Sequence, residues 1–141
     1  MMNREVRRIM TTNPAVAFLH QTLDTITDVM ISHNVQQLPV ISNTGKLLGM
    51  IQYDQLLTLR EAGADFSTLL AADAMSTKIL KIAPKDKVGT AAELLADKRF
   101  RMLPVVNLRN ELKGVITAFN LIKVAFNAEY KKPILYTEVF S

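Results

Sequence analysis

The chain has 141 residues, 49% of them apolar, which suits one compact domain or two very small ones built around a real core. Its apolar runs are a few residues long against the roughly 18 to 20 that span a bilayer, and the start, MMNREVRRIM, lacks a signal peptide's apolar stretch, so a soluble, cytoplasmic chain without membrane insertion is expected. The absence of cysteine excludes disulfides, thiolate nucleophiles and cysteine metal sites, and the net charge of +4 is uneven, −1 over residues 1–65 and +5 over residues 66–141. The second half is therefore where any anionic partner would sit, the plainer reading being that its lysines solvate the surface.

In chain order, PAVAF at 14–18 reads as a loose first strand. Leu23, Ile26, Val29 and Met30 then recur at helical spacing. Gln37 to Ile41 and Leu47 to Ile51 form two strands around a polar turn containing Gly45, and Asp54 to Glu61 forms a second helix. The same order then returns. KILKI at 78–82 reads as a short strand, Asp86 as a helix cap, and Val88, Ala91, Leu94 and Leu95 as the apolar face of a helix. Met102 to Val106 and Leu112 to Ile116 form the next hairpin, turning at Asn110, and Ala118 to Glu129 the last helix.

The two passes are one pattern repeated at an offset of 65. No gap is needed from Met10/Met75 to Leu56/Leu121, and ten pairs are identical, among them Leu38-Pro39-Val40 with Leu103-Pro104-Val105 and Gly49 with Gly114. A single unit of this size buries too little to cover its own sheet, so two β-α-β-β-α units are expected to stack sheet to sheet with pseudo-twofold symmetry, an α+β fold. The expected boundaries are 1–65, 66–127 and a C-terminal segment, 128–141. Ile134, Leu135, Tyr136, Val139 and Phe140 make that segment too apolar for a free tail, so it is expected to pack on the module or on a partner subunit.

Signs of catalysis are sparse. The five glycines (45, 49, 63, 89 and 114) are too scattered for a phosphate loop or dinucleotide fingerprint, and no His, Asp and Glu set has metal-ligand spacing. His20 and His33 are expected in solvent. Pro39 and Pro104 read as fixing strand entry geometry, and Gly49 and Gly114 as serving either close sheet packing or a bulge.

Met75-Ser76-Thr77, Leu103-Pro104-Val105 and Gly114-Val115-Ile116-Thr117-Ala118-Phe119-Asn120-Leu121, with their weaker first-copy counterparts, resemble the cystathionine-beta-synthase (CBS) domain, which occurs as tandem pairs called Bateman modules. The resemblance covers residues 6 to about 127. It implies a non-catalytic regulatory module that binds an adenosyl compound (AMP, ADP, ATP or S-adenosylmethionine) between the repeats, needs no other cofactor, forms a homodimer and acts on an effector protein or domain. Within the family's pattern of a glycine, two apolar residues, a hydroxyl, two residues and an acid or amide, it implies Thr117 for phosphate and Asn120 for ribose hydroxyls, with Lys78, Ile79, Arg101, Met102 and Pro104 flanking the base and phosphates. The residues themselves allow a plainer role for Thr117, as a helix N-cap.

The first copy departs from that pattern at Gln52 and Gln55, so the competent site is expected in the second. Those two departures also leave open an alternative, a structural or oligomerisation pair with no physiological nucleotide. Nucleic-acid binding is not expected, because the basic half lacks interleaved aromatic residues.

Overall fold

The computed structural model describes residues 1–97 and 99–129. Before the first repeat proper lies a short 3-10 helix, Val6–Arg8. The first repeat then holds β1 (Ala17–Phe18), α1 (Leu23–His33), β2 (Gln37–Ile41), β3 (Leu47–Gln52) and α2 (Tyr53–Glu61). A short helix α3 (Ala71–Ala74) leads into the second repeat, α4 (Val88–Leu95), β4 (Leu103–Val106), β5 (Leu112–Ile116) and α5 (Ala118–Glu129). The architecture is α+β, as expected. The tail from 130 onward lies outside the described residues, as do the side chains of 127–129, so the packing expected of the 128–141 segment does too.

β2 lies between β1, which it pairs in parallel, and β3, which it pairs antiparallel with Leu38 opposite Ile51. In the second repeat β4 and β5 repeat that register, Leu103 opposite Ile116. Each hairpin has a register irregularity one step past the paired glycine, at Val40/Ile41 and at Val105/Val106. The turns use left-handed backbone at Gly45 (φ 84°) and Asn110 (φ 61°), both residue types that tolerate it.

KILKI does not form the expected strand. Only Ile82 pairs, in a parallel bridge to Val105, and burial falls at Ile79 and Ile82, three residues apart rather than on the alternating positions of a strand. Pro104 is compatible with that edge because a residue's N–H and C=O point to the same side of a strand. Its carbonyl accepts from Ile82 N (3.0 Å), so its missing donor falls at the end of this short bridge and not on the β5 side. Asp86 is not the cap of α4 either. Its Oδ2 accepts from Ala83 N (2.8 Å), closing the preceding turn, and Lys87 holds the cap position with no side-chain bond. In the first repeat, Thr22 caps α1 by accepting from Thr25 N.

The lead-in to each repeat packs on the other one. Val6 and Ile9 belong to the core of Val88, Leu103, Val105 and Ile116, whereas Phe66, Ala71 and Ala74 belong to the core of Leu23, Ile26, Leu38, Val40 and Ile51. The hydrogen bonds keep the same offset of 65: Val6 N to Asp86 O (2.7 Å) matches Ala71 N to Gln21 O (2.9 Å), and the Thr11–Val115 bridge matches the Ser76–Met50 bridge. Gly114 and Gly49 admit these lead-ins. A Cβ on Gly114 would lie 2.6 Å from Thr11 O, and one on Gly49 would lie 2.6 Å from Met75 Sδ, so the glycines serve close approach.

The twofold relation also shows where the hairpin turns meet. Leu47 N donates to Asn110 O and Leu112 N to Gly45 O, both at 2.9 Å, on either side of a Lys46–Glu111 bridge. Deeper in, Met50, Met102 and Val115 form a small apolar cluster with Val35 and Ile79 that joins the repeats.

Candidate functional site

Thr117 ends β5's run and precedes α5, the position of a helix N-cap. Asn120, one turn on, returns its Oδ1 to Thr117 N (2.8 Å) and also accepts from Thr117 Oγ1 (3.0 Å). Its Nδ2 donates to Ile9 O (3.0 Å) and Thr11 Oγ1 (3.1 Å). A flipped amide would set donor against donor and carbonyl against carbonyl, so the orientation follows from the neighbours. Asn120 is 5% exposed. It therefore ties the N-terminal lead-in to the start of α5, and its polar atoms are fully engaged without any ligand.

Above this tie lies a cleft of about 560 Å³, within the range of small-molecule sites. From the second repeat, Arg101, Met102, Thr117 and Phe119 line it; from the first repeat, Asn34, Val35, Gln36 and Gln37 do. Asn34 ends α1 in left-handed geometry (φ 54°), its N–H donating back to Ile31 O, and this stop turns the chain into β2 beside the cleft. Gln37, buried at the head of β2, bonds across the repeats: its Nε2 donates to Arg99 O (3.2 Å) and its Oε1 accepts from Arg101 N (3.1 Å). The Arg101 side chain is exposed and takes part in no ion pair among the described residues. Lys123 adds a second cation nearby, its Nζ 5.6 Å from the Phe119 ring centre. Among the described residues, no carboxylate lines the cleft.

A separate cleft at the start of α2 in the first repeat has a different character. It is smaller, about 380 Å³, and is lined by Gln52 and Gln55 together with Asp54 and Asp73. Gln52 caps nothing with its side chain, and Gln55 is exposed, without the lead-in tie that Asn120 makes. Asp54 accepts from Gln55 N and Asp73 from Leu70 N, so both carboxylates are held at this cleft.

Of the residues singled out in the sequence, Thr117, Arg101 and Met102 come together on the cleft, with Asn120 directly beneath Thr117. Ile79 packs against Met102 in the cluster joining the repeats. Lys78 is exposed and Pro104 fully buried within β4, and neither lines the cleft. The sequence reading missed Asn34, Gln36, Gln37 and Phe119. A signal for Gln37 was present: a polar residue heads an otherwise apolar strand where its second-copy counterpart is Met102. His20 and His33 are both exposed.

Two copies of one α+β unit, exchanging lead-ins and enclosing a cleft, define a tandem-repeat pair. The CBS domain model matches residues 6–61 and 71–127, and the chain belongs to the CBS domain family. It is 32% identical over 118 residues, 82% of its own length and 81% of the relative's, to the CBS domain-containing protein YhcV of Bacillus subtilis (strain 168). It is 28% identical over 116 residues to a homoserine O-acetyltransferase of Methanocorpusculum labreanum, matching 82% of this chain but 23% of that enzyme, so it spans about a quarter of that relative. Among solved structures, CBSX2 in complex with AMP aligns with a TM-score of 0.79 at 26% identity, over 89% of this chain and 98% of the other. No helix among the described residues is long and apolar enough to cross a membrane.

Proposed function

We propose that the chain is a non-catalytic regulatory module that binds an adenosyl compound, AMP, ADP, ATP or S-adenosylmethionine, in the cleft between Arg101, Thr117 and Asn34–Gln37. One observation carries this reading. Among the described residues, the Arg101 cleft offers an unpaired guanidinium and no lining carboxylate, whereas the separate cleft at Gln52 and Gln55 presents Asp54 and Asp73 to any anion. Val35, Met102 and Phe119 supply apolar surface for a base. Thr117 Oγ1 donates to Asn120, which leaves its lone pairs to accept from a ribose hydroxyl, while Arg101 supplies the anion contact. Asn120 is a positioning residue beneath them. The neighbour solved with AMP supports the ligand class.

Signalling follows from geometry. A ligand held by Arg101 and by the α1–β2 turn touches both repeats, and it favours whichever arrangement of repeats or subunits brings these groups together. The effector is a partner protein or domain in the cytoplasm, reached by a homodimer. The match to about a quarter of an acetyltransferase supports an enzyme as that effector.

Calorimetric titration with the four ligands tests the reading. Arg101→Gln is expected to weaken binding of the phosphate-bearing ligands by roughly 10- to 100-fold, since it removes a charged hydrogen-bonding partner. No heat for any of the four at millimolar ligand would refute it. A second reading, a pair that only assembles, draws on the internal satisfaction of Thr117 and Asn120. It requires that null titration together with a dimer in light scattering.

A further inference from the structure

A second cleft, about 620 Å³, opens on the outer side of the second repeat, away from the Arg101–Thr117 site. Ile82 and Val106, both buried and joined by the Val106 N to Ile82 O bond (2.9 Å), line it together with the exposed Ala83 and Leu108. At the offset of 65, the counterpart of Ala83 is Phe18, an aromatic residue in place of a methyl group.

The same comparison applies to charge. Arg7, Lys81 and Lys85 line this cleft, from the lead-in helix, the Ile82 bridge segment and the following turn. Their first-repeat counterparts are Ala72, Val16 and His20. The correspondence of the lead-ins is structural as well, because Val6 N to Asp86 O mirrors Ala71 N to Gln21 O. Arg7 N also donates to Pro84 O (2.9 Å), which fixes that residue at the rim. Lys81 bonds only a neutral acceptor, Asn110 Oδ1 (2.8 Å), and Lys85 has no ion-pair partner among the described residues. Glu5 takes Arg7 through Nε alone, which leaves the terminal guanidinium nitrogens. The one lining acid among the described residues, Asp86, is engaged by Ala83 N, and Asn107 is occupied by Arg109 N, Glu111 N and Glu111 Oε1.

We propose that this cleft is a second binding site, particular to the second repeat, for a small amphipathic anion: an apolar body of about one ring carrying a carboxylate or phosphate. The apolar lining desolvates the body, and three cations from separate segments hold the head group at the rim. The cleft shares no lining residue with the Arg101–Thr117 cleft, so occupancy of one leaves the other open.

The test is an NMR titration of the full chain with phenylacetate, phenyl phosphate and, as neutral control, benzyl alcohol, read at the amides of Ile82, Ala83, Val106 and Leu108. Both anions are expected to shift these amides, the larger response naming the head group, with benzyl alcohol at least about tenfold weaker. Ala83→Phe, which installs the first repeat's own residue, is expected to abolish the response and leave the effect of AMP at Thr117 and Phe119 unchanged. Should that variant misfold, the combined Arg7→Ala, Lys81→Val and Lys85→His variant is expected to weaken both anions at least tenfold and to remove the salt dependence of binding. The proposal is overturned by no shift with either anion at millimolar concentration, by equal binding of benzyl alcohol, by an unchanged response in the folded variants, or by anion shifts confined to the Arg101 cleft.

Discussion

Replacing Asn120 with Ala tests whether this buried amide is a structural tie. It removes four contacts at once: Thr117 N and Oγ1 to Oδ1, and Nδ2 to Ile9 O and Thr11 Oγ1. The hydroxyls of Thr117 and Thr11 can rotate toward other partners, whereas Thr117 N and Ile9 O are fixed by the backbone and lose a partner in a site that is 5% exposed. Two stranded backbone groups at about 1–2 kcal/mol each give a loss of roughly 2–4 kcal/mol. For a chain of this size that is a fall in Tm of roughly 6–12 °C. Thr117→Ala loses one hydroxyl bond and is expected to cost under about 1 kcal/mol. Asn120→Asp keeps the acceptor for Thr117 N but turns an oxygen toward Ile9 O, so it is expected to melt close to Asn120→Ala rather than close to wild type. Thermal unfolding followed by circular dichroism measures all three. An Asn120→Ala protein that melts within about 1 °C of wild type would refute the tie, whatever happens to ligand binding.

Other outcomes follow from the same contacts. Gly114→Ala is expected to destabilise by about 1–3 kcal/mol and somewhat more than Gly49→Ala, because its new Cβ meets the backbone carbonyl of Thr11 at 2.6 Å, whereas at Gly49 the backbone contact, Ser76 O, is at 2.9 Å and the closer atom is the flexible Met75 Sδ; the reverse order in urea unfolding would sink the reasoning. Gln37→Met, which installs the second copy's residue, removes both bonds to the Arg99–Arg101 backbone; a Tm drop together with weaker nucleotide binding is expected, and unchanged calorimetry would separate Gln37 from the site. The Glu111 carboxyl is held below the usual carboxylate range, first by the hydrogen bond from Asn107 and then by Lys113, Lys46 and Arg109. A depressed value in the fold contributes stability that is complete above the unfolded value near ~4.3 and is lost as pH falls through the folded one. Melting temperature is therefore expected to fall below that range, with a shallower fall in Glu111→Gln, and parallel acid profiles for the two proteins would count against it.

The elements with strong periodicity were readable directly. The hairpin strands, their turns at Gly45 and Asn110, and α5 fall within a residue of their expected bounds, because alternation, helical spacing and left-handed turn residues are local properties. What escaped the sequence is long-range. KILKI fails as a strand because Ile79 is drawn into the cluster with Met102 while Ile82 serves the second core, two demands that one alternating face cannot meet. The residue type of Asp86 suits a cap, but the Pro84 turn brings its carboxylate back onto Ala83 N. The exchange of lead-ins leaves no local signature, since Val6 and Phe66 are equally apolar in either packing. At the candidate site, Thr117, Arg101 and Met102 followed from the family resemblance and not from local pattern. The first-repeat wall, Asn34 to Gln37, was not legible, because nothing in its own stretch shows which side of the other repeat it faces.

Duplication makes each departure from symmetry informative, since both copies solve the same folding problem and a mismatch needs no explanation from the fold alone. Thr117 and Asn120 against Gln52 and Gln55 is such a mismatch, and it has a mechanical consequence. The N-terminal lead-in is fastened to α5 through Asn120, whereas the lead-in at Met75–Ser76 meets the first repeat through backbone bonds between Ser76 and Met50 with no equivalent side-chain tie from Gln55. The second repeat is thus the firmer platform at the point where Arg101 and Thr117 face the cleft. The first repeat contributes its wall through Gln37, whose two bonds to the Arg99–Arg101 backbone are the side-chain link between the halves at that cleft. On the proposed function, a ligand that engages Arg101 would act on the same short segment that Gln37 holds, which would couple binding to the relation between the repeats.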